Sequence, residues 1–150
     1  MLEKEDEKFM SAAIAEAMIA AEEGEIPVGA VVVCNGRIIA RAHNQTERLH
    51  DATAHAEMIA LTSAQNYFGG RALPECILYV TLEPCPMCAG AIGWTRPGRI
   101  VWGADDPKRG FDSYCRPEKT PLHPKTIITK GVMAEECAEL MKQFFRLRRR

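Results

Sequence analysis

The stretch Val28-Gly29-Ala30-Val31-Val32-Val33, followed by Asn35-Gly36 and then Arg37-Ile38-Ile39-Ala40, leaves the chain little conformational choice. A β-branched run of this length favours an extended strand, and Asn-Gly readily adopts the positive φ angles of a tight turn whose twist suits the flanking strands. An antiparallel hairpin over residues 28–40 is therefore expected. Its surroundings change period. Phe9, Met10, Ala13, Ile14, Ala17, Met18 and Ala21 recur at helical spacing, with Gly24 placed to stop the helix. Thr53 can cap a second helix over residues 54–65, with Met58, Ile59 and Leu61 as its apolar surface. Residues 77–81 then read as strand, 86–94 as helix, 100–103 and 126–129 as strands. Residues 134–147 form a last helix, with Cys137, Leu140, Met141, Phe144 and Phe145 expected to face inward. Helices alternating with strands after a hairpin imply a three-layer α/β/α sandwich around a mixed five-stranded sheet. With 150 residues and no repeat or low-complexity linker, a single domain over residues 1–150 is expected. Residues 104–125 lack a clear period, and long irregular stretches within small domains are often functional.

Charge narrows the partners. A net charge of −1 gives no general surplus for coating nucleic acid, so any phosphate binding must come from local patches. The most basic stretch is the ending Arg146-Leu147-Arg148-Arg149-Arg150, which is either a solvated tail or such a patch. No apolar run is long enough to cross a bilayer, and the acidic beginning has no signal-peptide core, so a cytoplasmic protein without a membrane partner is expected. In a reducing compartment, closely spaced cysteines point to metal or catalysis rather than to disulfides.

His55-Ala56-Glu57 opens one expected helix and Pro84-Cys85-Pro86-Met87-Cys88 opens another. Cys85 and Cys88 lie three apart on a first helical turn, where both sulfurs can reach one ion, and the helix N-terminus favours their thiolate forms. Two sulfurs and one imidazole suit zinc. A purely structural zinc site would need a fourth protein ligand. Cys34, Cys76, Cys115, Cys137, His43, His50 and His123 are available, yet none makes a second close pair, and Cys34 and Cys137 fit apolar core patterns. Three protein ligands leave a position for water, the arrangement of a catalytic zinc. Glu57 discriminates further, since a structural site has no use for a carboxylate two positions from a ligand. It could also be only a helix-dipole partner, but beside His55 and the cysteine pair it suits proton transfer.

At these residues the chain resembles the cytidine/deoxycytidylate deaminase superfamily, and within it the bacterial tRNA-specific adenosine deaminases. Ile26-Pro27-Val28-Gly29-Ala30-Val31, Asp51-Ala52-Thr53-Ala54-His55-Ala56-Glu57, the run from Tyr79 through Cys88 to Ile92, Gly103-Ala104-Asp105-Asp106-Pro107-Lys108-Arg109-Gly110 and Phe144-Phe145-Arg146-Leu147-Arg148-Arg149 carry the likeness. The resemblance implies a cytidine-deaminase-like fold and one Zn2+ per chain on His55, Cys85 and Cys88. It also implies that Glu57 moves protons during hydrolytic conversion of adenosine to inosine in tRNA, at the wobble position of the anticodon loop. It further implies base or pocket contacts at Asn44, Val28 and the backbone around Ala56, a flanking-nucleotide contact at Asp106, RNA contacts at Lys108, Arg146, Arg148, Arg149 and Arg150, and a homodimer. Asn44 and Asp106 could instead be turn residues. Phe111-Asp112-Ser113-Tyr114-Cys115-Arg116 and His123-Pro124-Lys125 depart from the family's blocks, and Phe111, Tyr114 and His123 either stack on splayed bases or pack the loop. Two other functions compete: a deaminase of free bases or nucleosides, and a non-enzymatic zinc-stabilised interaction domain.

Overall fold

The computed structural model describes residues 2–116 and 118–148. Helix α1 (Leu2–Glu22) precedes strands β1 (Gly29–Cys34) and β2 (Arg37–His43). Helix α2 (Ala56–Phe68), strand β3 (Cys76–Leu82), helix α3 (Pro86–Thr95) and strand β4 (Arg99–Ala104) follow, and strand β5 (Ile127–Lys130) and helix α4 (Ala134–Arg148) complete the order. The hairpin forms as the sequence implies: Asn35 and Gly36 take φ values of 52° and 75°, and β2 runs on to His43. The five strands lie in the order β2-β1-β3-β4-β5. Strand β1 is antiparallel to both neighbours, whereas β3, β4 and β5 are parallel. Parallel pairing needs crossovers, supplied by α3 between β3 and β4 and by an irregular segment with one short 3-10 turn, Phe111–Ser113, between β4 and β5.

Alternation along each strand sends side chains to two separate cores. Ala30, Val32, Leu78, Val80, Ile100 and Trp102 pack with α2 and α3, and Val31, Val33, Tyr79 and Val101 pack with α1 and Cys137 of α4. Because both faces are covered, every residue of β1 is buried. The result is the expected three-layer sandwich around a mixed five-stranded sheet. Phe111 and Leu122 of the long crossover are buried in the α2/α3 core, and Phe111 meets Trp102 edge to face with ring centroids 5.6 Å apart.

Some local expectations fail for identifiable reasons. Thr53 does not cap α2: its backbone N–H and its hydroxyl both donate to Asp51 Oδ1, and His55 occupies the N-cap position. Met18 is exposed, because the face of α1 that meets the sheet is the stripe Phe9, Met10, Ala13, Ala17 and Ala20. On α4, Cys137 and Phe144 are buried but Phe145 and Leu147 are exposed. Cys34 and Cys137 are core residues, as their apolar surroundings imply. No helix among the described residues is long and apolar enough to cross a membrane.

Candidate active site

The parallel strands β3 and β4 end side by side at Leu82 and Ala104, beyond which both chains turn away and leave a crevice, the usual position for a site in such sheets. Helices α2 and α3 begin beside that crevice. His55 is the N-cap of α2 (φ −77°, ψ 152°) and Cys85 the N-cap of α3 (φ −73°, ψ 169°), with Pro86 preorganising the first turn of α3. The His55 side chain makes no bond to its own helix and remains free for other work.

His55 Nδ1 lies 3.6 Å from Cys85 Sγ and 3.5 Å from Cys88 Sγ. Zinc–sulfur and zinc–nitrogen bonds of about 2.3 and 2.0 Å at a tetrahedral angle separate the two donors by roughly 3.5 Å, so the spacing fits zinc without rearrangement. Among the described residues, these three form the cluster of His, Cys and acidic groups able to share one ion. The Cys88 thiol donates toward Cys85, which lowers the Cys85 pKa to about 4, with His55 adding to the effect. That same hydrogen bond, together with burial, holds the Cys88 proton in place and raises its pKa well above the ordinary thiol range. A divalent cation replacing this shared proton would ionise both sulfurs. The His55 pKa is raised, chiefly by its bond to Cys85.

Glu57 is the second residue of α2 and is only 4% exposed. Burial pushes its carboxyl up to about 7, outweighing its backbone hydrogen bond and the attraction of His55. A carboxyl that titrates near neutrality beside a metal-type donor set is suited to proton transfer. Val28, Asn44, His55, Glu57 and Cys85 all line one cleft of about 1510 Å³. Asp106, Lys108 and Arg146 line it as well, so residues distant in sequence meet around one cleft.

Other expected residues lie elsewhere. The Ala56 side chain is wholly buried in the α2/α3 core, while its neighbours His55 and Glu57 face the cleft. Arg148 donates to the carbonyl oxygen of Gly24, and its guanidinium stacks over the Phe144 ring, 4.6 Å from the centroid. Arg149 and Arg150 lie outside the described residues. Asp106 is a turn residue at the cleft wall, its Oδ1 accepting from the backbone N–H groups of Lys108 and Arg109. In the divergent segment, Phe111 is core and Cys115 donates to the Phe111 carbonyl. Tyr114 is exposed with its hydroxyl on the Lys108 carbonyl, and His123 Nδ1 accepts from the backbone of Lys125.

Two buried carboxylates that order segments bordering the cleft escaped the sequence reading. Glu25 accepts from the backbone N–H groups of Glu47 and Arg48 at 3.1 and 2.8 Å, fixing the segment after Asn44. Glu83 accepts from the backbone of Asp106 and Asp112. The only sequence signal was an acidic residue where an apolar strand run should continue or turn, as at Leu82-Glu83-Pro84. Lys142 and Phe145 of α4 and Arg109 also line the cleft.

A proton-transfer carboxyl held in reserve beside a soft, three-donor metal position, at the foot of an open cleft, is the arrangement of a metal-assisted hydrolase. Residues 3–104 match the cytidine and deoxycytidylate deaminase zinc-binding region, and the chain belongs to that family. It is 44% identical to the tRNA-specific adenosine deaminase of Bacillus subtilis, over 95% of this chain and 89% of that protein. It is 46% identical to the chloroplastic tRNA(adenine(34)) deaminase of Arabidopsis thaliana over 95% of this chain, which spans 12% of that much longer protein. Among solved structures it is similar to a chain from studies of A-to-I editing by tRNA:A34 deaminases at the wobble position of transfer RNA. The TM-score is 0.81 at 42% identity, with 89% of this chain and 98% of that one covered.

Proposed function

We propose that this chain is a zinc-dependent deaminase that converts adenosine to inosine in tRNA, at the wobble position of the anticodon loop. The observation that carries this reading is the form of the cleft: the buried Glu57 and the His55/Cys85/Cys88 donors open onto a wide crevice bordered by Lys108, Arg109, Lys142 and Arg146. A free base is served by a small closed pocket, whereas a nucleotide in a loop brings flanking phosphates that need cations nearby. The relatives named above act, by their names, on adenosine of tRNA.

In this reading His55, Cys85 and Cys88 hold one zinc per chain, whose Lewis acidity makes water reactive at neutral pH. Glu57 takes a proton from the attacking water and delivers it to N1 of adenine. It then carries the second water proton to the departing N6 amine, so water and adenosine leave as inosine and ammonia. Asn44, 5% exposed and lining the cleft beside Val28, contacts the base. Asp106 lies against the flanking nucleotide, and Lys108 and Arg146 meet phosphates. An anticodon loop already presents unpaired bases, which lowers the cost of extruding the target. The chain acts in the cytoplasm as a homodimer. Support for the dimer comes from the outer face of α3, where Met87 and Trp94, seven apart, are exposed, Trp94 by 83%.

Incubation with an adenosine-containing anticodon stem-loop, free adenosine, guanine and cytidine tests the reading through ammonia release. The expected result is fastest release from the stem-loop with inosine at one position. Faster release from guanine or cytidine would make the chain a free-base or nucleoside deaminase, and no release from any zinc-loaded sample would make it a binding domain.

A further inference from the structure

The crevice has one wall, residues 105–112, that belongs to no regular helix or strand beyond the start of a short 3-10 turn, yet it contributes Asp106, Lys108 and Arg109 to the site. One buried carboxylate ties both ends of this wall. Just past the last paired residues of β3 and β4, the Glu83 backbone N–H donates to the Ala104 carbonyl at 2.8 Å, extending the sheet by one bond. The Glu83 side chain, 6% exposed, then turns back under the wall. Its Oε1 accepts from the Asp106 N–H and its Oε2 from the Asp112 N–H, both at 3.0 Å.

The remaining bonds build on those two anchors. With its own N–H fixed, Asp106 turns its Oδ1 to the backbone of Lys108 and Arg109, and the Gly110 N–H closes onto the Asp106 carbonyl at 2.8 Å. The Phe111 N–H donates to the Pro84 carbonyl at 2.8 Å, one residue before Cys85. Gly110 sits so close that a β-carbon there would overlap the Glu83 carboxylate. A buried carboxylate normally requires a cation or several donors, and here two backbone amides of a substrate-facing loop supply them.

We infer that Glu83 is a positioning residue for substrate: its carboxylate fixes the wall carrying Asp106, Lys108 and Arg109 at a set height beside Cys85 and Glu57. The inference rests on the deaminase reading and adds to it the element that holds the flanking nucleotide. Glu83 touches no reacting atom. Its loss therefore acts on binding more than on chemistry.

Glu83→Gln keeps side-chain volume but presents an NH2 group to one of the two backbone donors. KM for the stem-loop should rise about tenfold, the scale of one lost charge-assisted hydrogen bond, while kcat changes by less than about threefold. Zinc content should stay at the wild-type level, and hydrogen exchange should accelerate at the Asp106 and Asp112 amides. Glu83→Asp keeps the charge but withdraws the carboxylate from the Asp106 and Asp112 amides and should reproduce the KM rise, so the test does not depend on one variant folding. A merely structural role would lower the melting temperature and leave KM alone. If the wild-type protein deaminates the stem-loop and both variants match its KM, this inference falls by itself. If the wild-type protein releases no ammonia from the stem-loop, the deaminase reading falls and takes the inference with it.

Discussion

Glu57 and the two cysteines illustrate how the ends of helices set chemistry one residue at a time. Cys85 and Cys88 occupy the N-cap and first turn of α3, where the backbone dipole favours anionic sulfur, while Glu57 is placed two residues beyond the α2 N-cap and is buried at the cleft wall. Burial raises the Glu57 pKa to about 7, so at neutral pH it exchanges a proton at little cost in either direction. Glu57→Gln preserves shape and should leave fold and zinc content intact while turnover drops by about 10²–10⁴-fold, the usual contribution of a general acid–base group. Ammonia release alongside metal analysis checks it, and undiminished release would remove Glu57 from the reaction. These residues were legible in the sequence because ligand spacing is local: a Cys pair three apart and a Glu two from a His have few other uses together. Glu25 and Glu83 were not, because each acts on backbone amides that lie 22 to 29 positions away and arrive only through folding.

Between elements, one buried ionic cluster joins three of them. Asp6 of α1 accepts two bonds from Arg99 of β4, at 2.8 and 2.5 Å, and one from the Tyr79 hydroxyl of β3 at 2.7 Å. Burial by itself would raise the Asp6 pKa, but the Arg99 pair and the Tyr79 bond outweigh it and leave it below the ordinary 3.8. A carboxyl whose folded pKa is depressed adds stability that is present above its unfolded value and is lost as pH falls through the folded one. Asp6→Asn should therefore cost about 2 kcal/mol near neutrality, the scale of hydrogen bonds to a charged group. The difference from wild type should shrink in acid below pH ~4. Thermal unfolding across a pH series measures both, and a pH-independent gap would contradict the assignment. Element types followed from periodicity, but faces were less certain. Met18 looks like core on hydrophobicity alone, yet the sheet accepts the narrow stripe Ala13, Ala17 and Ala20, because small residues let α1 lie close to β1. Phe145 likewise follows the apolar pattern of α4 but faces the cleft, a difference only the packing of α4 against the sheet could decide.

Across the whole molecule, a chain of net charge −1 must gather its cations in one place to hold RNA. Lys108 and Arg109 come from the wall after β4 and Lys142 and Arg146 from one face of α4, so two separate segments border the same cleft. The basic ending is not uniform in role. Arg148 bridges from α4 to the Gly24 carbonyl just past the end of α1 and stacks on Phe144, which makes it a clasp between helices rather than a free phosphate ligand. Replacing Lys142 and Arg146 together by Ala should lower the slope of log affinity against log salt by about 1.4 units, taking 0.7 per phosphate on a single strand. Affinity should weaken to a similar degree for stem-loops of different sequence, because phosphate contacts position RNA without reading it. Arg148→Ala, by contrast, should reduce thermal stability more than it alters the salt slope. Stem-loop titrations over a salt series, paired with melting curves for each variant, separate the two effects. An unchanged slope in the folded double variant would mean that α4 faces away from the bound RNA and that the phosphates are held elsewhere on the molecule.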